Sequence, residues 1–572
     1  MHCDQWDLRI AEALDCLYGL RASSEAHGVV LTKPHVAELA LNLAGYTEDR
    51  DLGTLQLLEP SCGRGAFLRV VAKRLAASAW RCNRSMADLR GAVVAYDVDP
   101  KHVAESRLAV REVLAESGCA VATASTLARA WVRQGDFLRS EGEQRFGVVV
   151  GNPPYVRLEQ VPKRLLAEYR SRFAALFDRA DLYVAFVEHG LSLLAPGGTL
   201  SYVCADRWTL NRFGGPLRRL IAHRFQVRVC VSLRGAAAFE SNVLAYPAIF
   251  TIARQAPGSG PVSVASLATS SPRECADLVD VLRAPSLRRS GVAVARYEEW
   301  FRDDEPWAAT SPDLLGVLRG LESRLPTLEE DGHTRVGIGV ATGCDGTFIV
   351  GADADIEPDR LVPLVMRADL QRGKILDAGR FVINASLESG DVVDLRCFPR
   401  LARHFELHER DLSGRRRARA SSRAWFRTTD RVYPAIAARR KLLIPDIARS
   451  CEVTVESGRY HPHHNLYYVT SEAWDLEVLG ALLSSRVALF IVWSYAVKMN
   501  GGYLRFQAQY LRRVRVPPRS NLSGSLCRSL AAAFRRRDFA EMDALAVEAY
   551  GLDSMPKFPL PDCRRQSSDS RR

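Results

Sequence analysis

An apolar, β-branched run that breaks into Asn-Pro-Pro-Tyr limits this chain more than any other stretch: Val148-Val149-Val150-Gly151-Asn152-Pro153-Pro154-Tyr155. Three valines in succession read as a strand buried on both faces, as in a parallel sheet covered by helices. Neither proline can donate to a sheet ladder, so the strand must stop there. Asn152 and Tyr155 are thereby presented at the carboxyl end of a buried strand, where open α/β sheets bind ligands.

The side-chain amide of Asn152 and the carbonyl of Pro153 are two acceptors held close together, with an aromatic ring beside them. Such a set suits a flat exocyclic amine on a nucleobase, which offers two N–H donors and a face for stacking. Drawing both hydrogens toward acceptors favours a pyramidal nitrogen with its lone pair aimed at an electrophile. The plainer alternative is a proline-rich turn after a core strand.

A second signal lies upstream, in Leu57-Leu58-Glu59-Pro60-Ser61-Cys62-Gly63-Arg64-Gly65-Ala66-Phe67. A strand runs into an acid, a Gly-x-Gly turn and a helix start, so a ligand can approach both the backbone and the free N–H groups of the helix. The third glycine of the dinucleotide fingerprint is missing, and the acid favours a cation or hydroxyls over a phosphate. The next strand, residues 92–98, ends at Asp97, placed to accept from ribose hydroxyls, while Asp99-Pro100 reads as the cap and first residue of a helix. A third strand near residues 130–134 leads to Asp136 and Phe137, an acceptor for an adenine amine with a ring packed on it. Before these, Thr32 is expected to cap a helix that opens at Pro34, and residues 1–27 read as a helical arm. After Asn152 come a helix from Asp181 to Leu194 and strands at 199–204, 226–233 and 245–253. Strands alternating with helices give a doubly wound, mostly parallel sheet, with the last two strands expected as an antiparallel pair at one edge.

At 572 residues the chain is too long for one core. Its net charge of +12 and pI of about 9.2 suit a polyanionic partner. Thirteen scattered cysteines without a C-x-x-C pair argue for a reducing cytosol and against a disulfide framework or zinc cluster. A signal peptide and an 18-residue apolar run are both lacking, so a cytoplasmic protein without a membrane span is expected.

Taken in order, Thr32, Glu59-Pro60-Ser61-Cys62-Gly63-Arg64-Gly65, Asp97, Asp136 and Asn152-Pro153-Pro154-Tyr155 resemble the S-adenosylmethionine-dependent DNA adenine-N6 methyltransferases, most of all the TaqI-like group of type II restriction–modification methylases. The resemblance spans roughly residues 28 to 520. It implies a class I methyltransferase fold followed by a C-terminal α+β specificity domain. It further implies that Thr32, Glu59, Cys62, Gly63 and Gly65 line the cofactor site, that Asp97 holds the ribose, and that Asp136 and Phe137 hold the cofactor adenine. Asn152, Pro153, Pro154 and Tyr155 would then hold the target base, with Phe239 as a second aromatic contact. No metal is needed, because the sulfonium methyl is already activated. The implied partner is double-stranded DNA, the implied reaction is methylation of a flipped adenine, and the implied setting is a monomer beside a separate endonuclease. Lys33 between Thr32 and Pro34 departs from the group's pattern. Cys62 is not a cytosine-C5 nucleophile, since that thiol belongs in the catalytic loop.

The domain plan that follows is an arm (1–27), a catalytic domain (28–255), a linker (256–324), a target-recognition domain (325–520) and a C-terminal helix with a polar tail (521–572). Residues 415–441 hold ten basic residues and one acid, Asp430, with Trp425, Phe426 and Tyr433 interleaved. Arg415, Arg416, Arg417, Arg419, Arg423 and Arg427 are expected to contact DNA, as are Tyr503 and Arg505 after the glycines at 501 and 502. His461-Pro462-His463-His464 reads as a polar loop, since no acid or cysteine stands at ligand spacing. Residues 478–497 read as one core helix. RNA or protein-glutamine methyltransferases also use Asn-Pro-Pro-Tyr, but the large basic C-terminal domain argues against them. Intact motifs argue against a dead methylase core that only binds DNA. A fused endonuclease is disfavoured because Pro445-Asp446 and Glu452-Val453-Thr454 lack a catalytic lysine.

Overall fold

The computed structural model describes residues 32–233, 239, 247–308, 310–376, 379–415, 425–496, 499 and 502–559. The expected N-terminal arm and the end of the polar tail lie outside these residues. The chain divides into two compact units, one ending at Ala308 and the other beginning at residue 309.

In the first unit, five strands pair in parallel in the order β3-β2-β1-β4-β5: β1 (Leu57–Glu59), β2 (Val93–Asp97), β3 (Val132–Gln134), β4 (Phe146–Gly151) and β5 (Leu194–Ala205). The valines of β4 are at most 2% exposed, as a strand covered on both faces requires. Helices Pro34–Leu43, Ala66–Arg81 and Pro100–Glu116 pack against one another beside the sheet and share one apolar core with β1 and β2. The chain winds outward through β2 and β3 on one side of β1, then resumes with β4 on the other. That reversal brings the carboxyl ends of β1 and β4 together at a switch point.

Beyond β5 the sheet differs from expectation. β6 (Gln226–Ser232) does not follow β5; β7 (Pro247–Ala253) is inserted between them, antiparallel to both. This pair is not an edge, because β8 (Val262–Leu267) and β9 (Val292–Tyr297) extend the sheet to nine strands. Residues 256–324 are therefore no linker. Residues 257–261 are only the turn between β7 and β8, and Trp300, Phe301 and Trp307 pack with Trp208 and Phe250, the Trp208 and Trp307 rings 4.7 Å apart.

In the second unit, Thr334–Ile338, Leu466–Ser471, Lys441–Pro445 and Thr454–Glu456 form an antiparallel sheet in that order. A second sheet joins Ile349–Gly351, Arg380–Ile383, Leu361–Val365 and His461–Pro462. The expected polar histidine loop is thus an edge of a sheet, and His461 and His463 are each 2% exposed. The expected single helix over 478–497 is two helices, Leu476–Ser484 and Arg486–Tyr495, bent by 60°. Ser485 causes the break: its backbone is extended and its hydroxyl accepts from Ala488 N, capping the second helix. Among the described residues no single helix is long and apolar enough to cross a membrane, and this bent pair is buried inside the protein.

Candidate active site at the carboxyl ends of β1, β2 and β4

Gly63 and Gly65 adopt φ of 50° and 85°, and the turn they make carries the chain from β1 into the helix Ala66–Arg81. A side chain at Gly65 would press on Ser106, whose Oγ lies 3.2 Å from the position of a Cβ; at Gly63 a Cβ would meet no protein atom within 4 Å. Asp97 closes the turn from the end of β2. One carboxylate oxygen accepts from Gly63 N at 2.8 Å; the other accepts from Asp99 N at 2.9 Å and lies 3.3 Å from His102 Nδ1. That contact raises the His102 pKa, and burial works against it. Asp99, by contrast, caps the next helix through Lys101 N. Cys62 is 4% exposed and donates its backbone N–H to Tyr96 O, while burial pushes its thiol far up.

Glu59, at the end of β1, is 1% exposed and its Oε2 makes no hydrogen bond. Burial first, and then the neighbouring Asp97, hold its carboxyl well above the usual carboxylate range. A buried carboxyl without a partner is costly when charged unless a cation joins it.

Asn152 and Tyr155 follow β4. The amide nitrogen of Asn152 donates to Thr32 Oγ1 at 3.1 Å, which makes Oδ1 the acceptor end of the side chain. Thr32 therefore does not cap its helix: Lys33 holds that position without a side-chain bond, and Pro34 supplies the first turn. Thr32 also forms an antiparallel bridge with Phe239. The Tyr155 ring meets Phe239 edge-on at 6.1 Å and Tyr183 at 6.3 Å. Asn152, Tyr155, Phe239 and Thr32 thus form one cluster assembled from three distant stretches, in which Pro153 is buried and Pro154 half-buried. The segments flanking Phe239, residues 234–238 and 240–246, lie outside the described residues.

Asp136 caps a short turn through Leu138 N and accepts from Tyr169 at 2.6 Å. Phe137 is 2% exposed and packs on His189 at 4.5 Å and Phe186 at 5.4 Å. Sequence reasoning missed His102, Tyr169 and Tyr183. Only His102 left a trace: it stands in the first turn of the helix that follows Asp97.

In the second unit, Arg416, Arg417, Arg419 and Arg423 lie outside the described residues. Arg415 is a strut. Its guanidinium donates to the carbonyls of Leu412, Thr342, Trp425 and Arg427 and lies over the Phe348 ring. Arg427 is half-buried. Arg505 is paired with Asp446, and Tyr503 is 38% exposed beneath Arg449.

Fold and site together define a doubly wound α/β protein whose strand ends at the switch point carry Gly-x-Gly and Asn-Pro-Pro-Tyr turns. The model of the Eco57I restriction-modification methylase family matches residues 111–239. The type II methyltransferase M.PaeR7I of Pseudomonas aeruginosa is 44% identical over 533 residues, 92% of each chain. M.XhoI of Xanthomonas vasicola, also a type II methyltransferase, is 41% identical over 92% of this chain and 98% of its own. Among solved structures, the type IIL restriction-modification enzyme MmeI in complex with DNA shares the fold at a TM-score of 0.58 and 11% identity, over 96% of this chain and 76% of that one. The chain belongs to the type II restriction–modification DNA methyltransferases.

Proposed function

We propose that the protein methylates the N6 amine of adenine in duplex DNA, with S-adenosylmethionine as donor, and so protects its host's DNA from a cognate endonuclease. The observation that carries this reading is the cluster at the end of β4: an oriented Asn152 amide, the Pro153 carbonyl and the edge-to-face rings of Tyr155 and Phe239. It adjoins the Glu59–Gly63–Asp97 turn on the neighbouring strand.

The cofactor fits these residues. Glu59 is a buried carboxyl awaiting a cation, the Gly63 turn leaves its backbone approachable, and Asp97 sits at the end of β2 where hydroxyls are recognised. Asp136, whose carboxylate Tyr169 shares, and the neighbouring Phe137 would bound the adenine end. When bound, the cofactor supplies an activated methyl group. The chain's own contribution is positioning. Thr32 fixes the amide so that Asn152 Oδ1 and Pro153 O accept the two amine hydrogens, and Tyr155 and Phe239 hold the flipped ring. As the new C–N bond formed, the methyl–sulfur bond of the donor would break and leave a neutral thioether, and one amine proton would then leave to water, so no strong base is required.

The test separates the two halves of the cluster. Asn152→Ala should leave DNA binding intact, because phosphate contacts dominate affinity, yet slow methylation by about a hundredfold or more. Tyr155→Ala should also lower the 2-aminopurine fluorescence that reports flipping, since base stacking is worth about 1–3 kcal/mol. Unchanged rates in both variants would overturn the assignment.

A further inference from the structure

In the second unit, His463, His464 and Asp345 converge although Asp345 lies far away in sequence. One donor atom from each lies within 4.8 Å of the other two. The two backbones are fixed before the side chains meet. His463 N donates to Val365 O at 2.9 Å, His464 N donates to Val340 O at 3.0 Å, and Val340 bridges to His463 in parallel. Asp345 is held from the other side by the Thr342 hydroxyl.

His463 is the telling member. Its side chain is 3% exposed, and neither ring nitrogen makes a hydrogen bond of acceptable geometry, although Nε2 lies 3.2 Å from Asp345 Oδ2. A buried imidazole whose Nδ1 has no hydrogen bond and whose Nε2 is set against a carboxylate without a well-aligned one is costly. A shared ion removes that cost for the nitrogen facing Asp345. In a tetrahedral zinc site with bonds near 2.0–2.2 Å, neighbouring donor atoms stand about 3.3 Å apart, which matches the His463–Asp345 separation. The His463 and His464 rings are 4.0 Å apart and inclined at 59°, so they do not stack face to face.

We propose that His463, His464 and Asp345 bind a divalent transition metal of the zinc class, which clips the loop after Thr334–Ile338 to the sheet edge at His461–Pro462. Two imidazoles and one carboxylate suit zinc or cobalt and disfavour magnesium or calcium, which demand oxygen. A fourth position is left for water. The clip is structural and separate from the methylation chemistry. It would stiffen the loop whose Thr342 carbonyl also receives Arg415 and Thr429 N, and so the base of the arginine-rich segment.

Cobalt(II) added to the metal-stripped full chain tests this. One equivalent should bind with the visible bands of a nitrogen–oxygen site and without the near-ultraviolet charge-transfer band of a thiolate, which excludes the cysteines as ligands. Zinc should displace it and raise the melting temperature, since a ligand of the folded state stabilises it. His464→Gln and Asp345→Asn should each weaken zinc binding by about tenfold or more, an effect at least as large as removing an outer-sphere partner, and should shrink the zinc-dependent melting shift accordingly. His464 is exposed, so His464→Gln should melt like the metal-stripped wild type. Absence of binding, a thiolate band, or wild-type affinity in either variant would overturn the proposal.

Discussion

Glu59 is the residue whose physical state most needs a ligand to explain it. Its carboxyl is buried, lacks a hydrogen bond at Oε2 and stands near Asp97, so in the unliganded protein it holds its proton above the ordinary carboxylate range. The sign is definite. A raised folded pKa contributes stability that is present below the unfolded value and is lost as pH rises through the folded one. A cation bound beside it reverses the preference, so cofactor binding should release a proton and affinity should rise with pH through the folded pKa. Calorimetry in two buffers of different ionisation enthalpy reads that proton directly; Glu59→Gln should bind more weakly and without proton release, and identical heats for the wild type in both buffers would contradict the role. At this scale much is legible in the sequence. Asp97 is separable from Asp99 because a proline follows only Asp99, and Asp99 does cap a helix. Thr32 reads as a cap and is not one, because a hydroxyl before a helix can equally accept from a distant amide, and Asn152 lies 120 residues away. Tyr183, on an apolar helix, reads as core, and Tyr169 leaves no signal because it is a lone aromatic in the charged helix Lys163–Arg172.

At the scale of elements, β1, β2 and β4 are legible because buried parallel strands are short apolar runs ended by polar turns. β8 and β9 escape the sequence reading although Val262-Ser263-Val264 and Val292-Ala293-Val294 alternate with strand period; the proline and glycine content between 256 and 261 outweighs that pattern. The second unit carries an element-scale commitment that hydropathy hides. Lys441 and Glu456 are paired across two strands with side chains 0% exposed. Glu456 also accepts from the backbone N–H groups of Gly458, Arg459 and Tyr460, and Lys441 donates to the carbonyls of Ala437 and Arg439. The pair therefore fixes a turn as well as a strand register. Glu456→Gln leaves a buried ammonium without its counter-charge and should cost about 3–5 kcal/mol in urea unfolding. A loss under about 1 kcal/mol, the scale of an exposed pair, would show the charge to be solvated in solution.

For the whole molecule, the basic balance and the arginine run at 415–441 point to a polyanion, but the run is not uniform. Arg415 is tied to four backbone carbonyls, so Arg415→Ala should lower stability; Arg416, Arg417, Arg419 and Arg423 lie outside the described residues. Replacing Arg416 and Arg417 with alanine tests whether the run contacts DNA. It should reduce the slope of log affinity for duplex DNA against log salt by up to about 0.9 for each phosphate no longer neutralised. An unchanged slope would mean that the run does not touch DNA. A motif-bearing half followed by a more basic half is legible as composition. The boundary is not, because a sheet that continues past a proline-rich turn leaves no compositional break.

The central claim is the product. Duplex DNA incubated with the full chain and S-adenosylmethionine, digested to nucleosides and analysed by mass spectrometry, should contain N6-methyladenine, and Asn152→Ala should reduce its rate of formation by about a hundredfold or more. N4-methylcytosine in the DNA, or methyl groups found only on RNA or protein, would contradict the role assigned to the Asn152–Tyr155 cluster.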